Sequence, residues 1–254
     1  HDHEHSHDHE HSHDHEHSHD HEHSHDHEHS DGLESEKKRR RVIELETSVL
    51  AINDRQAAIN RAWLKDHGVV AVNLISSPGS GKTYLLERTL DRLKGVISCA
   101  VITGDQQTDN DAKRMMGKGA PVIQIETRSA CHLNAQQIFE QLENAVQDGV
   151  KLLFIENVGN LVCPAAFDLG EEQKIALVSI AEGEDKPVKY PVLFHDSPVA
   201  VITKTDLLPH LDVNIDKYKE SVKKIRPDAK ILPLSAKSGE GMDEWIAYLK
   251  SLLI

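Results

Sequence analysis

The chain holds only three cysteines, Cys99, Cys131 and Cys163, in 254 residues. So few and so scattered, they exclude a disulfide framework and fit a reducing, cytoplasmic setting. No apolar run approaches the roughly 20 residues that span a bilayer. No secretory signal pattern is visible either, so no membrane partner is expected. The chain opens on histidine, and an initiator residue upstream is expected. A basic excess is also missing. Lysine and arginine number 29 against 42 aspartates and glutamates, a formal net charge of −13. Ten of those acids sit in the first thirty residues, which carry no base. Residues 31–254 therefore hold 32 acids against 29 bases, a net charge of −3. That near balance argues against nucleic acid as the main partner.

What the chain has in excess is histidine, and most of it lies at the N-terminus. Residues 1–30 are five copies of His-Asp-His-Glu-His-Ser, with fifteen of the nineteen histidines at odd positions. Such a segment has no apolar face and is expected to be disordered without a ligand. In an extended segment alternate side chains share one side, about 6.5–7 Å apart. His1, His3, His5, His7, His9 and His11 can thus converge on one ion. Imidazole suits Ni²⁺, Zn²⁺ and Cu²⁺, and binding should weaken as pH falls through about 6.5. A metal buffer, a purification tag and a solvated spacer are the alternatives.

The most specific pattern in the body is Ser76-Ser77-Pro78-Gly79-Ser80-Gly81-Lys82-Thr83. The apolar, β-branched run Val69–Ile75 precedes it. A run starting at Tyr84 follows, with Leu85, Leu86, Leu90 and Leu93 at helical spacing. Strand, glycine-rich loop and helix in that order are the context of a phosphate-binding P-loop. Gly79 and Gly81 let backbone N–H groups face phosphate oxygens. Lys82 then reaches the β- and γ-phosphates, and the Thr83 hydroxyl sits on Mg²⁺. The helix N-terminus adds positive partial charge at the same point. Pro78 to Tyr84 are the expected nucleotide-binding positions, with Ser76 where a first glycine is usual.

The rest of the body alternates strands and helices. An N-terminal helix is expected over about 36–65, because Val42, Leu45, Val49, Ile52 and Ala57 approximate a stripe, while residues 31–41 read as charged and flexible. Strands are expected at Val69–Ile75, Val96–Thr103, Val122–Glu126, Lys151–Glu156, Ile175–Ile180, Ala200–Thr203 and Ile231–Leu234. Helices are expected around 83–94, 132–147, 213–226 and 241–253. Near-continuous apolar strands between helices imply a mostly parallel sheet covered on both faces, an α/β P-loop NTPase. Residues 1–35 form the tail and 36–254 the single domain. Ligands in such sheets sit beyond the carboxyl ends of the strands.

Two further motifs fall at strand ends, Thr203-Lys204-Thr205-Asp206 and Ser235-Ala236-Lys237. They resemble the guanine-reading N/T-K-x-D and S-A-K motifs of GTPases. A carboxylate at Asp206 accepts from both N1–H and the 2-amino group of guanine, and adenine has no such donor pair. Leaving a buried carboxylate unpaired is costly, so the base is discriminated strongly. The Lys204 stem can cover the base, and the Ala236 N–H can meet the guanine oxygen. For the magnesium, Asp105 and Glu156 stand at the ends of two other strands. Glu156-Asn157-Val158-Gly159 has the form of a switch segment released on hydrolysis. Asp109 and Asp111 read as solvated loop carboxylates. No arginine finger and no glutamine for the attacking water stand out, so slow intrinsic hydrolysis is expected.

Cys131-His132, read as opening a helix, and Cys163 offer soft ligands suited to Zn²⁺ or Ni²⁺. They are one short of a tetrahedral set, which a second copy could complete across a two-fold axis. Scattered cysteines also serve as small buried hydrophobes, and Cys99, mid-strand, reads that way. Cys163 lies four residues beyond Gly159, so a moving switch would move a ligand.

Together NLISSPGSGKT, ITGDQQTDNDAKR, SACHLNA, ENVGNLVCPAAFDLGE, AEGEDKP and SAKSGEGMDEW resemble the HypB family of hydrogenase nickel incorporation GTPases, over roughly residues 36–254. That branch also includes UreG and MeaB. The resemblance implies GTP hydrolysis and nickel delivery to nickel–iron hydrogenase during maturation. It also implies a HypA-like nickel chaperone and the hydrogenase large-subunit precursor as partners, and a homodimer promoted by GTP and metal. By position it implies Cys131, His132 and Cys163 as Ni²⁺ or Zn²⁺ ligands, and Lys82, Thr83, Asp105 and Glu156 at phosphate and Mg²⁺. It places Lys204, Asp206, Ser235 and Ala236 at guanine, and Lys186 across the dimer. The cysteine-rich N-terminal nickel motif of some relatives is absent, and the histidine repeats take its place. A nickel storage protein and a urease-type accessory GTPase are the competing functions.

Overall fold

Seven short runs rich in Val, Ile, Leu and Ala form the strands, as fully buried parallel strands require. The computed structural model describes residues 28–105, 110–127 and 130–253, with the side chains of 28–32, 105 and 110–112 outside that description. The tail histidines His1 to His11 lie outside the described residues. The elements in order are α1 (Glu28–Asp66), β1 (Val70–Ser76), α2 (Lys82–Leu93), β2 (Cys99–Asp105), α3 (Asn110–Met115), β3 (Val122–Glu126), α4 (Ala135–Ala145), β4 (Leu152–Glu156), α5 (Cys163–Ala166), β5 (Gln173–Ser179), α6 (Lys186–Lys189), α7 (Pro191–Asp196), β6 (Val199–Thr203), α8 (Ile215–Ile225), β7 (Lys230–Pro233) and α9 (Met242–Ser251).

The strands make one parallel sheet in the order β3-β2-β4-β1-β5-β6-β7. β1 sits between β4 and β5, with Leu74 beside Glu156 and Ser76 beside Leu177. The loops after β1, β4, β5 and β6 therefore emerge side by side along one edge of the sheet. Alternating β1 residues serve opposite faces. Val72 and Leu74 join Leu85, Leu90, Phe154 and the fully buried Trp245 under α2 and α9. Ala71 packs with Leu64, Leu133, Ile138 and Leu142, and Ile75 with Phe194, Tyr218 and Val222. Trp245 Nε1 donates to Thr89 Oγ1 at 2.8 Å, so its one polar atom is satisfied within the core.

Two expectations need correction. Residues 28–41 are helical, not a flexible stretch, and α1 begins at Glu28. Glu, Lys and Arg are strong helix formers, and Arg40 pairs with Glu36 one turn earlier at 2.9 Å. Of the stripe that suggested the helix, only Ala57 belongs to its buried face. Val42, Leu45, Val49 and Ile52 are exposed, Ile52 at 66%. The buried face is Asn53, Ala57, Asn60 and Leu64. Smaller shifts fall at strand ends, such as β2 starting at Cys99, after a turn through Lys94–Ile97. No described helix is long and apolar enough to cross a membrane.

Candidate functional site

The P-loop caps the N-terminus of α2. Gly81, at φ 85°, occupies the left-handed position that starts the helix, a conformation a Cβ disfavours. Residues Ser76 to Tyr84 line a cleft of about 430 Å³, together with Thr103, Gly104, Arg114 and Glu156 to Gly159. Lys82 is buried at its base, and its Nζ donates to the Asn157 carbonyl. Thr83 Oγ1 donates to Glu156 Oε1 at 2.5 Å, and Thr103 Oγ1 to Glu156 Oε2 at 3.2 Å. A hydroxyl and a carboxylate in contact are the oxygen donors a hard cation takes, so Thr83 and Glu156 fit Mg²⁺. Asp105 closes β2, paired in register with Glu126, and its side chain lies outside the described residues, as does that of Asp111. Ser80 Oγ is buried with no hydrogen-bond partner among the described residues. A buried hydroxyl without a partner in a loop of N–H donors fits a phosphate oxygen.

The adjoining pocket, about 240 Å³, is lined by Gly81, Tyr84, Leu85, Thr203, Lys204, Asp206, Leu207, Ala236 and Lys237. It is mostly apolar with one carboxylate, as a base pocket should be. Ser235 Oγ donates to Asp206 Oδ1 at 2.7 Å and so fixes the carboxylate's rotamer. Lys204 has φ 62°, the single positive φ among described non-glycine residues. Its Nζ reaches the Gly79 carbonyl at 2.5 Å, laying the stem across the pocket mouth. Thr203 Oγ1 donates to the Ser80 carbonyl at 2.6 Å. The threonine that stands where asparagine is commoner thus ties the base strand to the phosphate loop.

Cys131, His132 and Cys163 come together, with one ligand atom from each all within 4.8 Å of one another. Cys131 Sγ lies 3.6 Å from His132 Nδ1. Two thiols and an imidazole at that separation match a soft-ligand site for Ni²⁺ or Zn²⁺ that leaves a position open. The His132 ring stacks on Phe167, centroids 3.9 Å apart. Burial lowers the His132 pKa, and a hydrogen bond with Cys131, followed by burial, raises that of Cys163. Both shifts favour the neutral forms, so the His132 imidazole would ligate without losing a proton while the Cys163 thiol would have to give one up. Burial alone pushes the Cys99 thiol up to about 12, in keeping with an inert core residue. Cys131 and His132 lie before α4 and do not open it. Asn134 is its cap, accepting from the Gln137 N–H while Gln137 Oε1 accepts from the Asn134 N–H, and that capping box fixes the start at Ala135.

The model of the CobW/HypB/UreG nucleotide-binding domain matches residues 70–233. The hydrogenase maturation factor HypB of Azotobacter chroococcum is 51% identical over 213 residues, covering 83% of this chain and 69% of the relative. The chain belongs to the HypB family. The crystal structure of HypB from Archaeoglobus fulgidus superposes with a TM-score of 0.76 at 39% identity, covering 81% of this chain and all of that one. HypB from Helicobacter pylori, solved in complex with nickel, gives 0.74 at 37% identity over 79% and 94% of the two chains. The family's nucleotide-binding domain is thus present here on a seven-stranded parallel P-loop sheet.

Several residues inside the family-like motifs make bonds that the sequence alone does not show. Asn157 is the joint between its two halves. Its carbonyl takes the Lys82 ammonium, its Oδ1 accepts from the N–H of Leu133, next to His132, at 3.2 Å, and its Nδ2 donates to Asn73 Oδ1 at 3.2 Å. Asn73 in turn donates to Glu171 Oε1 at 3.1 Å, and burial raises the Glu171 pKa. Glu182 accepts from the Ser77 hydroxyl and from the Ser179 N–H. Lys186, expected to act across a dimer, lies 3.6 Å from Glu182 and over the Tyr190 ring, outside the P-loop lining. The sequence places Asn157 in the switch segment, but its partners appear only once the β1–β4 pairing sets it against the P-loop.

Proposed function

We propose that this chain is a GTP-hydrolysing metallochaperone that carries nickel as cargo for insertion into nickel–iron hydrogenase. The observation that carries the reading is the bond path from phosphate loop to sulfur. Lys82 holds the Asn157 carbonyl, Asn157 holds the Leu133 N–H beside His132, and Cys163 follows six residues on. Gly159 lies against Pro78, where a Cβ would come within 3.2 Å, so the same segment touches the P-loop twice.

With GTP bound, Lys82 turns its ammonium to the β- and γ-phosphates and gives up the Asn157 carbonyl. Thr83 and Glu156, with Asp105, would hold Mg²⁺, which supplies neutralisation of charge between the phosphates. Asp206 and Ala236 select guanine, and the Lys204 stem covers it. Segment 156–163 then adjusts, moving Cys163 relative to Cys131 and His132. Neighbouring residues within one packed network are able to couple sites in this way. A second copy would complete the metal's coordination, with dimerisation promoted by GTP and metal. A HypA-like nickel chaperone and the hydrogenase large-subunit precursor are the partners, in the cytoplasm. The histidine tail adds nickel storage. The names of the relatives and the nickel-bound Helicobacter pylori structure support the maturation role.

The test is Asn157→Ala. GTP and nickel binding should both persist, while the effect of nucleotide on nickel affinity disappears. Retention of the full effect would remove Asn157 from the path and with it the stated mechanism.

A further inference from the structure

The two segments that bear the metal ligands are separate in sequence; they touch at Cys131–Cys163 and at His132–Phe167, and their backbones are bridged through a third element. The segment 130–135 carries Cys131 and His132 and ends on the first residue of α4. The segment 163–171 opens with Cys163 and runs on to β5. Asn53 Oδ1 accepts from the Ala135 N–H at 2.9 Å, while its Nδ2 donates to the Asp168 carbonyl at 2.7 Å. Two turns further along α1, Asn60 Nδ2 donates to the Ala135 carbonyl at 2.8 Å and to the Leu169 carbonyl at 2.9 Å. Each asparagine therefore bridges both ligand-bearing segments. Both are buried, Asn60 fully, so each broken bond leaves an unpaired polar group in the interior.

The packing points to the same place. Gly170 has φ +92°, and a Cβ there would come within 2.6 Å of the Asn60 Cβ and 2.8 Å of the Ala57 carbonyl. The loop after Cys163 is thus pressed onto the backbone of α1 at contact distance. Arg61 closes the same loop from outside, with both Asp168 oxygens at 2.8 Å.

We propose that Asn53 and Asn60 are positioning residues for the thiolate–imidazole metal site, setting the separation of Cys163 from Cys131 and His132. This rests on the reading of those three residues as metal ligands. The asparagines touch no ligand atom. They act on the backbone four residues beyond Cys131 and five and six beyond Cys163. Groups that hold metal ligands from behind commonly change affinity by about 10- to 100-fold when removed.

The test uses the full chain titrated with Ni²⁺ and with Co²⁺, followed by thiolate-to-metal charge-transfer absorption. The histidine tail contains no sulfur and is silent in that band. Asn53→Ala and Asn60→Ala should weaken binding at the thiolate site at least tenfold. At saturating metal they should also shift the cobalt ligand-field bands, which a mere loss of stability would not do. GDP affinity, which reports the nucleotide pocket, should be unchanged. If either alanine variant fails to fold, Asn53→Asp carries the test. It keeps the acceptor for Ala135 and loses the donor to Asp168, so a shift in the same direction is expected. Wild-type affinity and band positions in folded, GDP-binding variants would overturn the proposal. Cys163→Ala is the control for the underlying reading. It should weaken and shift the band, and removing Cys131 as well should abolish it; a band that survives the double variant Cys131→Ala/Cys163→Ala would show instead that the metal site itself is misassigned.

Discussion

The phosphate end and the sulfur end of this molecule are built by opposite means. The P-loop is made by contiguous residues whose backbone does the binding, and its lysine and threonine sit on the first turn of α2. The proposed metal site is made by side chains from two distant segments. It is only partly buried, and the segments that bear it are bonded to asparagines on α1 and to Asn157. A contiguous backbone site survives most changes elsewhere in the fold. An assembled side-chain site depends on everything that spaces its parts. The first can stay constant while the second is tuned by what moves segment 156–163.

The largest expected effect lies at the phosphate end. Lys82→Ala should lower the GTP hydrolysis rate by roughly 100- to 1,000-fold, the loss typical of removing one preorganised charge at a developing anion. Steady-state phosphate release checks it, and near-normal turnover would remove Lys82 from the reaction. Next comes base choice. Asp206→Asn should cost about 3 kcal/mol of GTP binding through two charged hydrogen bonds, roughly a hundredfold in affinity. Xanthosine triphosphate, whose 2-oxo acceptor replaces guanine's 2-amino donor and can meet the asparagine N–H, should gain. Competition binding against a fluorescent nucleotide shows whether it does.

Effects at the sulfur end should be smaller and should leave the nucleotide alone. Gly170→Ala should destabilise the fold, since the new methyl group meets the Asn60 Cβ at 2.6 Å, and overpacking of this kind costs about 1–3 kcal/mol. Denaturant titration measures it. Thiolate–metal affinity should fall in the same variant, with GDP binding kept. The smallest effect belongs to the exposed face of α1. Val49→Ser and Ile52→Ser should change stability by no more than about 0.5 kcal/mol, because both side chains already face solvent. A large loss there would mean that this stripe is covered in the protein in solution.

The same contrast decides how much could be read from sequence. Strand, loop and helix around Lys82 were legible because the chemistry is contiguous and the hydrophobic period on either side is clear. The lining of the adjoining pocket was legible because Lys204, Asp206 and Ala236 sit in short motifs at strand ends. Cys131, His132 and Cys163 could be named as ligand types, and the sheet order then brings them within reach of one another. What holds them could not be read. Asn53 and Asn60 sit on a helix where polar residues ordinarily face water, and the apolar stripe beside them suggested the wrong buried side. The core there is polar because the neighbouring loop ends need backbone partners, a demand that appears only once α4 and the loop after α5 are placed. Likewise Asn157 and Glu171 gain their partners from β1 through Asn73, about 84 to 98 positions away in the chain.

The most direct measurement is the nickel affinity of the intact chain, read in the thiolate charge-transfer band, with a non-hydrolysable GTP analogue and with GDP. Coupling between distinct sites typically amounts to about 1–3 kcal/mol, so the two dissociation constants should differ at least fivefold, and Asn157→Ala should bring them together. Equal affinities in the unaltered chain would contradict a path from the third phosphate to Cys163.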